Sequence, residues 1–138
     1  MSDDPCLCTS LRQAAHAATE IYDRALEPSG LKITMFRVLR RLEGAEKPTI
    51  SQLARIVDLD RSTLGRNLKI LERDGLITFC EGEDERAKIV KLTSKGRAAL
   101  EKARPLWRRV QAKMRAALGN EEKSVFRILA RVGAGPHA

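Results

Sequence analysis

The chain has 138 residues, 43% of them hydrophobic and 4% aromatic, enough for one domain with a real core and too few for two that fold apart. Its 26 Lys and Arg against 18 Asp and Glu leave a formal net charge of +8, so a polyanion is a natural partner, a merely basic and soluble surface being the plainer alternative. The sequence has no run of about 18 apolar residues, and "MSDDPCLCTS" opens on acids, which argues against a membrane span or secretory leader and for a cytoplasmic protein with no membrane partner.

From Pro5 to Leu26 the residues Leu7, Leu11, Ala14, Ala15, Ala18, Ile21, Tyr22 and Ala25 recur at helical spacing, and "EPSG" at 27–30 closes the segment. A second helix is predicted from about Ile33 to Glu43, with Phe36, Leu39 and either Leu42 or Val38 inward and Gly44 at its end. Thr49 is placed to cap "ISQLARIV", whose Leu53, Ile56 and Val57 should face inward, and "DLD" at 58–60 then offers a turn and a second cap, Asp60. In "RSTLGRNLKILERDGL" the residues Leu64, Leu68 and Leu71 share one helix face, while Ser62, Arg66, Lys69 and Arg73 lie roughly opposite. One face asks for a core; the other asks for something outside the protein.

Gly75 suits a helix C-terminus, and "LITFC" and "AKIVKL" are β-prone runs around the charged loop "EGEDERA". Helix, tight turn, helix and charged hairpin make a winged helix. Thr93 or Ser94 can cap a long helix to about Leu118, with Ala99, Ala103, Leu106, Val110, Met114 and Ala117 as its stripe and Pro105 expected to bend it. Asn120 is expected to cap a short closing helix through Val125, Ile128, Leu129 and Val132. The first helix and the last two carry more apolar stripe than a small winged helix can cover, so a partner subunit is expected on them.

An enzyme is not expected: the sequence lacks a nucleophile elbow, a phosphate-cradling Gly-x-x-x-x-Gly-Lys loop and a His-x-x-x-His pair. Cys6, Cys8 and Cys80 are too sparse for a disulfide scaffold and are either redox-active or inert thiols. The close pair Cys6 and Cys8, with only His16 and His137 elsewhere, does not make a metal ligand set, and no cofactor is expected.

Three stretches carry a family resemblance: "TISQLARIVDLDRSTLGRNLKILERDGLI", "GLKITMFRVLRRL" and "EDERAKIVKLTSKG", the last with an Asp-x-Arg…Leu-Thr-x-x-Gly signature at Asp84, Arg86, Leu92, Thr93 and Gly96. Over about residues 6–132 the chain resembles MarR-type winged helix-turn-helix regulators. The resemblance implies a mainly α-helical fold with a small β-wing, one domain over 1–138. Within it, residues of about 33–93 form the winged helix-turn-helix, and N- and C-terminal helices of about 5–27 and 94–132 form a dimerisation region. It implies a homodimeric, sequence-specific transcription factor, usually a repressor, released from a near-palindromic double-stranded DNA operator by a small molecule or an oxidant. An architectural DNA-binding protein without an effector is the competing class.

On the second helix of the helix-turn-helix, Arg61, Ser62, Thr63, Arg66, Asn67, Lys69 and Arg73 are the candidate DNA-binding residues. Arg66 and Asn67 suit base edges, because a guanidinium matches guanine O6 and N7 and a carboxamide matches adenine; Lys69 and Arg73 suit phosphates. The resemblance further implies that Arg86 enters the minor groove, with Asp84 helping to hold it, although Glu81 and Gly82 stand where many relatives have Asp-Pro. Cys8 and Tyr22 match the spacing of the peroxide-sensing branch, but Arg12 occupies the place of that branch's second tyrosine; Cys8 is the candidate redox sensor. The expected effector is a small aromatic or other organic ligand, with Arg12, His16 or Arg40 available to a carboxylate, and oxidant sensing through Cys8 is the alternative.

Overall fold

In the computed structural model of the chain, which describes residues 4–82 and 88–135, three side-chain caps mark the helix starts of the central segment. Thr49 and Gln52 form a reciprocal capping box: the Gln52 N–H donates to Thr49 Oγ1 (3.1 Å) and the Thr49 N–H donates to Gln52 Oε1 (2.9 Å). Asp60 Oδ1 accepts from the Thr63 N–H at 2.7 Å, and Thr93 Oγ1 accepts from the Gly96 N–H at 3.0 Å. Each cap satisfies a donor that a helix start leaves without an intrahelical partner. Of the two residues offered by the sequence, Thr93 is the cap and Ser94 the first helical residue.

The elements run α1 (Leu7–Leu26), a 3₁₀ turn (Glu27–Ser29), α2 (Ile33–Gly44), α3 (Ile50–Val57), α4 (Arg61–Arg73), β1 (Ile77–Glu81), β2 (Lys88–Leu92), α5 (Ser94–Leu118), a second 3₁₀ turn (Gly119–Glu121) and α6 (Glu122–Ala134). The strands pair antiparallel with Ile77 opposite Leu92 and Phe79 opposite Val90. Asn120 does not cap α6. Gly119, at φ +60°, turns the chain so that Asn120 falls inside the 3₁₀ turn, and Glu122 in the first turn of α6 instead pairs with Arg115 at 2.7 Å. α5 continues through Pro105, whose exposed position leaves the unpartnered carbonyl of the preceding turn open to water.

A single apolar cluster gathers residues from α2, α3, α4, both strands and the first half of α5, with Phe36, Leu39, Leu53, Leu64, Leu68, Leu71, Ile77, Val90 and Leu100 essentially sealed from solvent. Ile56, expected to face inward, is 43% exposed: α3 presents Leu53, Ala54 and Val57, with Ile50 half-buried beside them, to that core, and Ile56 falls on the outer side. Phe36 stacks on Trp107 with ring centroids 5.8 Å apart, which brings the middle of α5 against α2. Glu43 accepts from the Arg104 guanidinium alongside it, and Asp23 Oδ1 accepts the Ile33 N–H at 2.8 Å, so α1 caps α2.

Beyond that core the chain changes character. α6 buries no residue, and Phe126, Ile128, Leu129 and Val132 on it are each about half exposed. Phe126 and Leu129, with Val125, join Leu11, Ala14, Ala18 and Tyr22 of α1 and Met114 and Leu118 of α5 in bordering an apolar groove of about 430 Å³. Val110, in contrast, is 5% exposed within one chain, so this part of the α5 stripe is already covered by the chain's own helices and not left for a partner.

Candidate nucleic-acid interface

The turn between α3 and α4 is made by Asp58, in the left-handed region at φ 55° and ψ 49°, where a short polar side chain is tolerated better than most. The Leu59 N–H returns to the Ala54 carbonyl at 3.1 Å, and Leu59 packs against the core, so the second helix leaves at a fixed angle. Leu64, Leu68 and Leu71 are at most 1% exposed. Burying each is worth roughly 1.5–3 kcal/mol, far more than the ~1 kcal/mol that Gly65 costs in a helix interior, so docking holds α4 despite its composition.

The opposite face carries Arg61, Ser62, Arg66, Lys69 and Arg73, all exposed, with Thr63 and Asn67 half-buried at its edges. Ser62, Thr63 and Arg66 form a network around Asp60. Its carboxylate accepts from the Thr63 N–H, from the Ser62 hydroxyl at 2.8 Å and from the Thr63 hydroxyl at 2.9 Å; Arg66 Nη2 donates in turn to Thr63 Oγ1 at 3.3 Å. The Thr63 N–H first, then the two hydroxyls, and lastly the charge of Arg66 bring the Asp60 carboxyl down to about 2. Ser62 and Thr63 therefore turn their protons inward and offer lone pairs outward, while Arg66 keeps most of its donors free. Arg61, Arg66 and Lys69 form no ion pair among the described residues; Arg73 is paired with Asp74 at 3.3 Å.

A helix-turn-helix domain model matches residues 34–78, from α2 to the start of β1. The crystal structure of the Mycobacterium tuberculosis transcriptional regulator MosR in complex with DNA is 44% identical, with a TM-score of 0.88 over 96% of this chain and 97% of that one. The chain belongs to the MarR family of winged-helix regulators. It is a DNA-binding transcriptional regulator, and its relatives are regulators and not enzymes. The transcriptional repressor CouR bound to a 23-mer DNA duplex is 25% identical, with a TM-score of 0.83 over 96% of this chain and 99% of that one. The HTH-type transcriptional regulator YwoH of Bacillus subtilis is 26% identical over 126 residues, 91% of this chain and 92% of its own.

The wing of this MarR-type chain is tied to the helix-turn-helix through the backbone. The Val90 N–H donates to the Pro48 carbonyl at 3.0 Å, and Thr49 bridges Ile89, so β2 is fastened to the start of α3. Asp84 and Arg86, the wing residues singled out in the sequence, lie outside the described residues. Lys88 was not singled out and is exposed at the start of β2, its Nζ 5.9 Å from the centre of the Phe79 ring. Strand alternation about the buried Val90 does not mark it, because it shares that residue's parity and is exposed only where the sheet ends.

Cys6 and Cys8 are exposed and Cys80 is half-buried, all as free thiols. The perturbed one is Cys6, at the N-cap of α1, whose thiol is lowered by hydrogen bonds first from the Thr9 side chain, then from the Thr9 and Cys8 backbones. Tyr22 lies nearly four turns beyond Cys8, on the order of 21 Å along the helix, and its hydroxyl donates to Gln111 Oε1. Within one chain the two cannot meet. Burial raises the Tyr22 hydroxyl, against a smaller opposing effect of Arg115. Among the described residues no group of three His, Cys, Asp or Glu side chains is placed to hold a metal, and no described helix is long and apolar enough to cross a membrane.

Proposed function

We propose that this regulator acts as a homodimeric repressor whose α4 helices occupy successive major grooves of a near-palindromic operator and which a small organic ligand releases. The observation that carries it is the division of α4: three leucines sealed into the lobe and, opposite them, an exposed face of cations, with Asp60, Glu72 and Asp74 the acids on or beside the helix. On this reading Arg66 and Asn67 meet base edges, and Arg61, Ser62, Thr63, Lys69 and Arg73 set the register on phosphates. Arg86, positioned by Asp84, enters the adjacent minor groove. The exposed apolar side of α6 and the groove it borders support pairing with a second copy.

Release is supported by the junction of α2 and α5, where the Arg40 guanidinium lies 4.7 Å from the centre of the half-buried Trp107 ring. An aromatic acid that displaced the Arg40 guanidinium from this ring, stacking in its place and pairing its carboxylate with it, would press on the helix pair that carries the lobe. Selecting bound duplexes from a random DNA pool tests the reading. A palindrome enriched by orders of magnitude over bulk DNA, and released by an aromatic acid, is expected; uniform retention of all sequences would make the protein architectural.

A further inference from the structure

A second cavity, of about 340 Å³, lies between α1 and α5 and shares no residue with the Arg40–Trp107 junction or with the face of α4. Ile21 and Ala25 of α1, one turn apart, meet Leu106 and Val110 of α5, also one turn apart, and these four aliphatic side chains make its floor. Arg24, between the α1 pair, and Arg109 and Lys113 on the same stripe of α5 are exposed and stand at its mouth. No acid lines the cavity, and none of the three cations forms an ion pair among the described residues.

We infer that this cavity binds a small free amphiphile with an aliphatic body and an anionic head, such as a medium-chain carboxylate. The floor has no aromatic face and no hydrogen-bonding side chain, so it rewards a saturated chain and nothing polar. The three cations at the mouth stay in contact with water, so they need not be desolvated to receive a carboxylate or phosphate head, and two guanidiniums can grip it with paired N–H donors. The volume is at the small end of the ~300–1,000 Å³ range of ligand pockets, which excludes long lipids and bulky conjugates. A bare inorganic anion would leave the apolar floor unused, and a neutral alcohol would leave the cations unused.

Calorimetric titration of the full-length protein with decanoate, below its micellar concentration, tests this directly and independently of DNA. One decanoate per chain is expected, with decanol and inorganic phosphate each at least about tenfold weaker. Replacing Arg109 and Lys113 together by Ala should weaken decanoate about tenfold and leave decanol unchanged, while Ile21→Asn should weaken both; Ile21 is 45% exposed, so neither change threatens the core. Equal affinity for decanol, equal affinity for phosphate, or a decanoate affinity indifferent to the double variant would each overturn the assignment. So would the absence of binding, which is the outcome if a partner subunit seals the mouth. Flotation with phosphatidylglycerol vesicles separates the sources of such a head group: the protein should stay unbound, and co-flotation would replace the free ligand by a lipid surface.

Discussion

Thr93 donates its hydroxyl proton to the Gly75 carbonyl at 2.7 Å while its backbone N–H reaches the Leu76 carbonyl at 3.1 Å, so the residue that caps α5 also closes the turn that ends α4. Gly75 sits at φ +76°, as this turn requires, and Gly96 lies against the same strand of backbone. The Leu-Thr-x-x-Gly run is thus a joint between the helix proposed to read DNA and the helix that leads to α6.

That joint makes opposite predictions for two helical glycines. A Cβ on Gly96 would stand 2.0 Å from the Leu76 carbonyl oxygen and 2.8 Å from a Leu92 methyl, and backbone cannot give way there. Gly96→Ala should therefore cost about 3 kcal/mol or more. Gly65, inside α4, has nothing within 4 Å of the same added atom, so Gly65→Ala should stabilise by roughly 0.5–1 kcal/mol. Thermal unfolding of the two variants checks this; a shift of the same sign in both would refute the packing account.

DNA affinity should fall steeply with salt, with a log–log slope on the order of −5 to −9 if two lobes each displace several counterions. Arg66→Ala should cost about 1–3 kcal/mol and relax preference at one operator position per half-site, whereas Lys69→Ala should weaken all sequences alike and flatten the slope by about one. Competition binding against single-base operator variants separates the two. Identical profiles would mean that Arg66 touches only the backbone of the duplex.

Asp60 makes the start of α4 sensitive to acid. Its folded carboxyl, at about 2, lies below the ordinary 3.8, so its contribution to stability is complete above about 4 and is lost as pH falls from there towards 2. Asp60→Asn keeps an acceptor for the Thr63 N–H but cannot titrate. Urea midpoints measured between pH 5 and pH 2.5 should decline less in Asp60→Asn than in the unaltered protein, the other carboxylates being common to both. Parallel declines would show that the hydrogen bonds seen at Asp60 do not survive in solution.

Much of this was legible in the order of residues because it is local. The caps Thr49 and Asp60, the left-handed Gly75 and the leucine triplet of α4 all depend on neighbours within a turn or two, where spacing alone decides. Asn120 failed as a cap because Gly119 had already redirected the chain, a competition that composition does not resolve. Ile56 failed as core because α3 is short and α2, α4 and β2 can surround only part of it. The inward-turned hydroxyls of Ser62 and Thr63 were local yet invisible, since residue type does not say which way a hydroxyl proton points. The α1–α5 cavity was out of reach altogether, being made by two segments that only the folded chain brings side by side.

The same limit decides which residues should control assembly. Val110 looks like a seam residue in the sequence, but it is 5% exposed within a single chain, so Val110→Glu buries an unpaired charge in the protomer and should unfold it, at a cost of several kcal/mol. Phe126 and Leu129, 58% and 47% exposed on α6, should cost the isolated chain far less than Val110 when made polar. A Phe126→Glu/Leu129→Glu chain should keep its helical circular dichroism, sediment as a monomer, and lose operator affinity by far more than its intact α4 would suggest, since each lobe alone holds only half the contacts. If that variant stayed a dimer, the face of α6 would lie outside the seam, and the apolar groove beside it would need another occupant.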